Sequence, residues 1–141
     1  MFYGIKVTSC PGGKYEFSCR DIPSCVWESD SRDEGLSIAG QLIPGSLILD
    51  YRRKKLPFPL PSELKSGEVP VRVPVKVQAK MLLWNFILNK GLRLADVARK
   101  LEISDAAAAR LVDLSRDLAS VDKVEDALTK LGGSFDLSIK D

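Results

Sequence analysis

Tyr3, Ile5 and Val7 alternate with small or polar residues, Pro11-Gly12-Gly13 interrupts them, and Tyr15, Phe17 and Cys19 alternate again. A period of two on both sides of a glycine turn predicts a β-hairpin with one buried face. Asp21-Ile22-Pro23 breaks the alternation, and Cys25-Val26-Trp27-Glu28 supplies a third short strand. The spacing then changes to three and four. Ser31 followed by Glu34 forms the S-x-x-E box of a helix N-terminus, so a helix starts at Arg32. Its apolar stripe of Leu36, Ala39, Ile43 and Leu47 can lie on the sheet. Pro44 and Gly45 fall inside the stripe and should kink or break the helix, because proline lacks an N–H and its ring crowds the preceding turn. Tyr51 closes the stretch.

From Arg52 to Pro74 the chain holds Pro57, Pro59, Pro61, Pro70 and Pro74, too many for a helix over a span too long for a simple turn. A domain boundary is expected in this connector. Inside it Val69 to Val75 (VPVRVPV) alternates valines and can join a sheet as an edge strand despite its prolines. Gln78 to Lys90 is an amphipathic helix with Ala79, Leu82, Leu83, Phe86 and Ile87 on one face and Gly91 as its stop. Leu94 to Asp113 reads as two short helices meeting at Leu101 to Ser104. Val97, Leu101, Ile103, Ala108 and Leu111 turn inward, and small Ala98 lets the helices approach, a pattern shared by DNA-binding helix-turn-helix units and plain helical hairpins. Ser104 is placed to cap the second helix, and Asp105 suits the positive end of its dipole. Val121, Val124, Leu128 and Leu131 mark a further helix, ended by Gly132-Gly133. Phe135, Leu137 and Ile139 then alternate as a final strand with no strand partner in this half. Such a strand satisfies its backbone most cheaply against its own copy across a two-fold axis, which predicts a homodimer.

Composition narrows the chemistry. The chain has 141 residues, 45% hydrophobic and 28% charged, enough for one ordinary domain or two small ones of soluble, globular type. Apolar runs such as Met81 to Trp84 are interrupted within a few residues, and the N-terminus lacks a secretory pattern, so an intracellular, cytoplasmic protein with no membrane partner is expected. Three cysteines without C-x-x-C spacing, and no histidine, form neither a disulfide framework nor a zinc site. Lack of histidine also removes the usual general base. A magnesium-dependent nuclease would need carboxylates converging from strand interiors, whereas only Glu16 and Glu28 fall inside predicted strands, and together with Asp21 and Asp30 they read as solvent-facing. The expectation is therefore no catalytic residue, no metal and no cofactor. Net charge is +2 overall, yet residues 1–50 carry four basic and seven acidic side chains while residues 71–141 carry twelve and ten. An acidic front favours a basic partner.

The order of these elements resembles the HicB-type antitoxins of bacterial type II toxin–antitoxin pairs. The resemblance is carried by Asp21-Ile22-Pro23 after the hairpin, by LPFPLPS at Leu56 to Ser62, and by Val73-Pro74-Val75 leading into Ala79 to Leu83. It continues through Leu94 to Ser104, and through Ala127-Leu128 with Leu131-Gly132-Gly133. It implies an α+β protein. Residues 1–75, including the connector at about 52–70, would form a small, partial RNase H-like sheet-and-helix domain. Residues 76–141 would form an all-α helix-turn-helix domain with a terminal dimerisation strand. The partner implied is a small basic mRNA-cleaving ribonuclease toxin of the HicA type, met through Asp21, Ile22, Trp27 and Glu28. Dimerisation would use Phe135, Leu137 and Ile139. Operator DNA would be met by Arg99 and Lys100 of the first helix and by Ser104, Ala106, Ala107 and Arg110 of the second. Only Arg110 in that set is a good reader of base edges, while Asp105 and Asp113 repel phosphate. Helix-turn-helix joints usually carry glycine where this chain has Glu102. Two alternatives share these residues: a stand-alone repressor with no toxin, and a toxin-binding protein that has lost operator binding.

Overall fold

Eight alternating residues at the N-terminus form the strand on which the first half of the molecule is built. In the computed structural model, which describes residues 1–116 and 118–141, β1 (Phe2–Ser9) pairs antiparallel with β2 (Tyr15–Cys19), and β2 with β3 (Ile22–Ser29). On its other side β1 pairs antiparallel with β4 (Val69–Arg72), giving the order β3-β2-β1-β4. β3 begins earlier than the alternation suggested. The turn is only Arg20-Asp21, with Ile22 and Pro23 already in β3, and a shift in register between Ser18 and Cys19 pairs Cys19 with Ile22. Ile22 is thereby carried into the core beside Tyr3, Ile5, Phe17 and Cys25.

Helix α1 (Arg32–Ser37) starts where its capping sequence places it, with the Ser31 hydroxyl accepting from the Glu34 N–H. Helix α2 (Ala39–Leu47) follows after a break at Ile38 and buries Ala39, Ile43 and Leu47. The interruption expected at Pro44 is therefore displaced. Pro44 sits inside α2, and the irregularity appears on either side of it, at Ile38 and in a π-helical turn over Ile48–Arg52. There the Arg53 N–H donates to the Ile48 carbonyl, five residues back, at 2.9 Å.

The proline-rich connector is part of this fold and does not swing free of it. Phe58 is buried, and the Tyr3 hydroxyl donates to the Pro59 carbonyl at 2.5 Å. Asp21 accepts from the Ser62 N–H at 3.0 Å and the Ser62 hydroxyl at 2.8 Å. Arg20 donates to Glu68 at 2.9 Å and to the Glu63 carbonyl at 2.9 Å. These bonds deliver Val69 to the sheet edge, where Pro70 can sit because an edge strand does not need every N–H. The first compact unit is Met1–Pro74 and the second is Val75–Asp141.

The second unit is helical. α3 (Val75–Asn89), α4 (Leu94–Leu101), α5 (Asp105–Arg110) and α6 (Val121–Lys130) enclose a core of Met81, Leu83, Trp84, Ile87, Val97, Ala108, Val112, Val124 and Leu128. α3 buries more than the single face its spacing predicted. Lys80, Met81 and Trp84 are inside, while Leu82 and Phe86 are only half-buried. Lys80 is tolerated there because its ammonium donates to the carbonyls of Asp113 at 2.8 Å and Arg116 at 2.7 Å. Ile103, expected inside, is exposed at the joint. Residues 134–141 form no strand within the chain: Leu137 is 88% exposed and Ile139 97%.

Gly35 is the closest approach of helix to sheet. A Cβ built on it would lie 2.0 Å from Cζ of Phe17, itself fully buried. Gly35→Ala is therefore expected to destabilise the first unit by about 1–3 kcal/mol through overpacking. Chemical denaturation with Trp27 fluorescence reads this, and an unchanged midpoint would show that the ring gives way freely.

Candidate functional site

Two surfaces could carry function. On the first unit, the register decides which side chains face out. Val7, Phe17 and Trp27 form a row across three strands on the covered face. The adjacent row, Thr8, Glu16 and Glu28, must then lie on the opposite face, as must Lys6, Ser18 and Val26. Glu16 and Glu28 are direct cross-strand partners and both are exposed. Like charges directly opposite one another destabilise a sheet. Asp30 and Asp33, also exposed, continue the negative charge past the end of β3.

The four residues expected to meet a toxin fare differently. Glu28 is where it was expected, outward and exposed. Ile22 is fully buried and so unavailable for contact, because the β-bulge turns it into the core. Asp21 is spent on Ser62, and its carboxylate holds the connector. Trp27 is half-buried, stacked on Phe17 with ring centroids 5.3 Å apart and planes 6° apart, while its indole N–H donates to the Gly35 carbonyl at 2.9 Å. Glu16 and Val26 share that outer, exposed face with Glu28.

On the second unit, α4 and α5 meet through a turn in which Glu102 adopts the left-handed conformation, φ 56° and ψ 45°. That conformation normally falls to glycine and costs about 1 kcal/mol in another residue. The Ile103 N–H closes the turn on the Ala98 carbonyl at 3.0 Å, and the Ser104 hydroxyl accepts from the Ala107 N–H at 3.0 Å. Val97 and Ala98 of α4 and Ala108 of α5 are buried between the helices. Ala106 and Arg110 are exposed, Ala107 is half-exposed, and Arg99 and Lys100 are exposed at the end of α4. Arg99 is paired with Asp96, whose carboxylate also accepts from the Arg93 N–H at 2.9 Å and is thereby held below its ordinary pKa. Asp113 is similarly occupied. Burial works to raise its pKa, but the Ser115 hydroxyl at 2.6 Å and N–H at 2.9 Å prevail and hold the carboxylate below its ordinary value. Arg110 borders a cleft of about 450 Å³ between α5 and α6, with Leu101, Ile103 and Leu111 among its apolar lining. Ser104, Ala106, Ala107 and Arg110 thus share one short helix and its cap.

Among the described residues no group of three or more cysteine, aspartate or glutamate side chains could hold a metal ion. No helix among them is long and apolar enough to cross a membrane. The first surface is an acidic sheet face and the second a short helix with its cap.

Comparison with known proteins agrees. Residues 2–82 match a family model described as a HicB-like antitoxin of a bacterial toxin–antitoxin system. The chain is 32% identical over 140 residues to the HicB antitoxin of Pseudomonas fluorescens strain Pf0-1, an alignment covering 98% of this chain and 93% of that one. It is 28% identical over 137 residues to the HicB antitoxin of Escherichia coli K12, covering 97% and 98%. An HicB antitoxin of Photorhabdus laumondii is 28% identical over 141 residues, covering 99% and 88%. With a family model covering more than half its length and relatives aligned nearly end to end, the chain belongs to the HicB-like antitoxins, which are binding proteins and not enzymes.

Proposed function

We propose that the first unit captures a small basic ribonuclease toxin of the HicA type on its acidic outer face, and that the second unit binds operator DNA as a homodimer. The observation that carries the first half is the Glu16–Glu28 pair. Two carboxylates set opposite each other cost stability, and a cationic partner laid across them would turn that repulsion into attraction. The order of sheet and helix in this unit is compatible with a partial RNase H-like domain, in keeping with the resemblance to the family. The helix pair α4–α5 and the exposed positions Arg99, Lys100, Ser104, Ala106, Ala107 and Arg110 support the DNA reading. Phe135, Leu137 and Ile139 support the dimer, since they alternate and lie outside the core of their own chain.

One observation favours a second reading, an antitoxin that has lost its operator. α5 offers DNA mainly alanine methyl groups, with Asp105 at its start, and its one arginine borders a cleft shared with Asp122 and Asp126. Alanine supplies no bidentate hydrogen bond to a base edge.

Three measurements separate these readings. Co-expression with the adjacent toxin gene is expected to be protective for the natural chain and toxic for the Glu16→Lys, Glu28→Lys double variant. That variant should unfold no earlier than the natural chain, because a repulsive pair is replaced only by another. Full protection by the soluble double variant would remove the acidic face from the interaction. In a mobility shift on the operon's own promoter at fixed salt, Arg110→Ala is expected to lose about 1–3 kcal/mol of binding to specific sequence. Tight binding that survives this substitution would place another face of the second unit on DNA. Deleting residues 134–141 is expected to halve the mass of the assembly in light scattering, and an unchanged mass would move the dimer contact away from the terminal segment.

A further inference from the structure

The outer face of the sheet is acidic along one row only. Beside the row of Thr8, Glu16 and Glu28 stands the row of Lys6, Ser18 and Val26, with Lys6 and Val26 exposed. Beyond Lys6 the connector covers the sheet. Glu68 and Leu64 lie so close over Gly4 that a Cβ there would come within 2.6 Å of the first and 3.0 Å of the second. The connector therefore rises as a step above β1, and at its foot runs a groove of about 690 Å³ whose lining includes Lys6, Ser18, Arg20, Lys65, Ser66 and Glu68.

Charge in this groove is unbalanced, with three cations against one carboxylate. The Glu68 carboxylate is already occupied, because it accepts from the Arg20 guanidinium at 2.9 Å and from the Lys65 N–H at 2.7 Å. Arg20 is occupied in turn by Glu68, by the Ser62 hydroxyl and by the Glu63 carbonyl, and so serves to hold the step in place. No described residue forms an ion pair with the ammonium of Lys6 or of Lys65. Two ammonium groups and the hydroxyls of Ser18 and Ser66 thus line one groove, a set of donors suited to an oxyanion.

We infer that this groove receives a carboxylate of the basic toxin, standing about 7 Å from the cations that the toxin lays over Glu16 and Glu28. The inference rests on the acidic face being the seat of the toxin, and it deepens that reading. A partner positive throughout would be pushed off Lys6 and Lys65 as it was drawn to Glu16 and Glu28, whereas a partner with a carboxylate one row from its cations satisfies both rows. Residues two apart on a strand or four apart on a helix have that separation. A nucleic-acid strand does not fit the same pattern. Its phosphates recur along the chain, and those beyond the two lysines would meet Glu16 and Glu28, with exposed Asp30 and Asp33 further on. The groove is also far larger than a lone ion, which leaves room for a side chain carried in on a protein surface.

The test is calorimetric titration of the full chain with the toxin of the adjacent gene at fixed salt. Lys6→Glu makes the face more acidic, so simple attraction of a basic protein would tighten binding; the groove requires the opposite, a loss of at least about tenfold. Lys14→Glu, at the exposed hairpin turn outside the groove, is expected to leave affinity unchanged or raise it. Lys6→Gln with Lys65→Gln is expected to weaken binding by about threefold or more. Both lysines are exposed, so far-ultraviolet dichroism should not change, and the neutral double variant decides the matter if Lys6→Glu fails to fold. Unchanged or tighter binding by the lysine variants would overturn the groove, and if Glu16→Lys with Glu28→Lys still abolished capture, the acidic face would stand without it. Full affinity in that glutamate variant together with a loss in Lys6→Glu would do the reverse. A single-stranded RNA oligonucleotide bound by the natural chain and released by Lys6→Glu would assign the groove to phosphate and overturn the protein carboxylate.

Discussion

The first unit depends on one aromatic contact. The Phe17 ring is stacked on Trp27, its Cζ edge meets the bare backbone of Gly35, and the Trp27 indole donates a hydrogen bond to the Gly35 carbonyl. Stacking is worth about 0.5–1.5 kcal/mol beyond the area it buries, but its larger effect is geometric. It fixes how close α1 lies to the sheet. Past the break at Ile38, α2 lays Ala39, Ile43 and Leu47 inward at helical spacing and leaves Leu42 outward. Trp27 is thus half-buried for a structural reason, and its neighbours Val26 and Glu28 are left to face outward.

A second set of bonds closes the same unit from the other end. Tyr3, Asp21 and Arg20 come from the first hairpin, and each reaches into the proline-rich segment at Pro59, Ser62, or Glu63 and Glu68. Prolines lower the entropy the chain loses when this long segment is laid down, and the hydrogen bonds decide where it is laid. Glu68 shows the coupling. The Arg20 guanidinium and the Lys65 N–H hold its carboxylate below the ordinary range, and the same side chain occupies the space that a Cβ on Gly4 would need. A segment whose composition reads as a linker therefore behaves as the outer layer of a domain.

Much of this was legible in the sequence, and what was not has physical causes. Period two marked the four strands of the sheet and period three-to-four the helical stretches among the described residues, although α1 and α2 read as one helix, because each element buries one face and so writes its spacing into the chain. Three features do not write themselves that way. The register shift at Ser18 and Cys19 depends on the turn, and it alone decides that Ile22 is core. Lys80 reads as polar, and its burial is explained only by two carbonyls more than thirty residues away. Pro44 reads as a helix breaker, yet it lies inside α2, and the irregularities fall on either side of it, at Ile38 and over Ile48–Arg52. Residue chemistry marked Asp21 and Trp27 as suited to a partner, whereas the structure commits them to hydrogen bonds and stacking within the fold.

Places where local rules are broken are informative once the structural uses have been subtracted. Lys80 and Pro44 break a rule and are compensated inside their own units, so they need no external partner. Glu16 opposite Glu28, and the row of Ile38, Leu42 and Leu49 in the open, have no such compensation within the described contacts. One costs electrostatic energy and the other leaves apolar area in water, and both costs vanish only when something covers them. They differ in what would do so. A flat pair of carboxylates is relieved by positive charge, while the exposed Ile38, Leu42 and Leu49 side chains are relieved only by apolar surface.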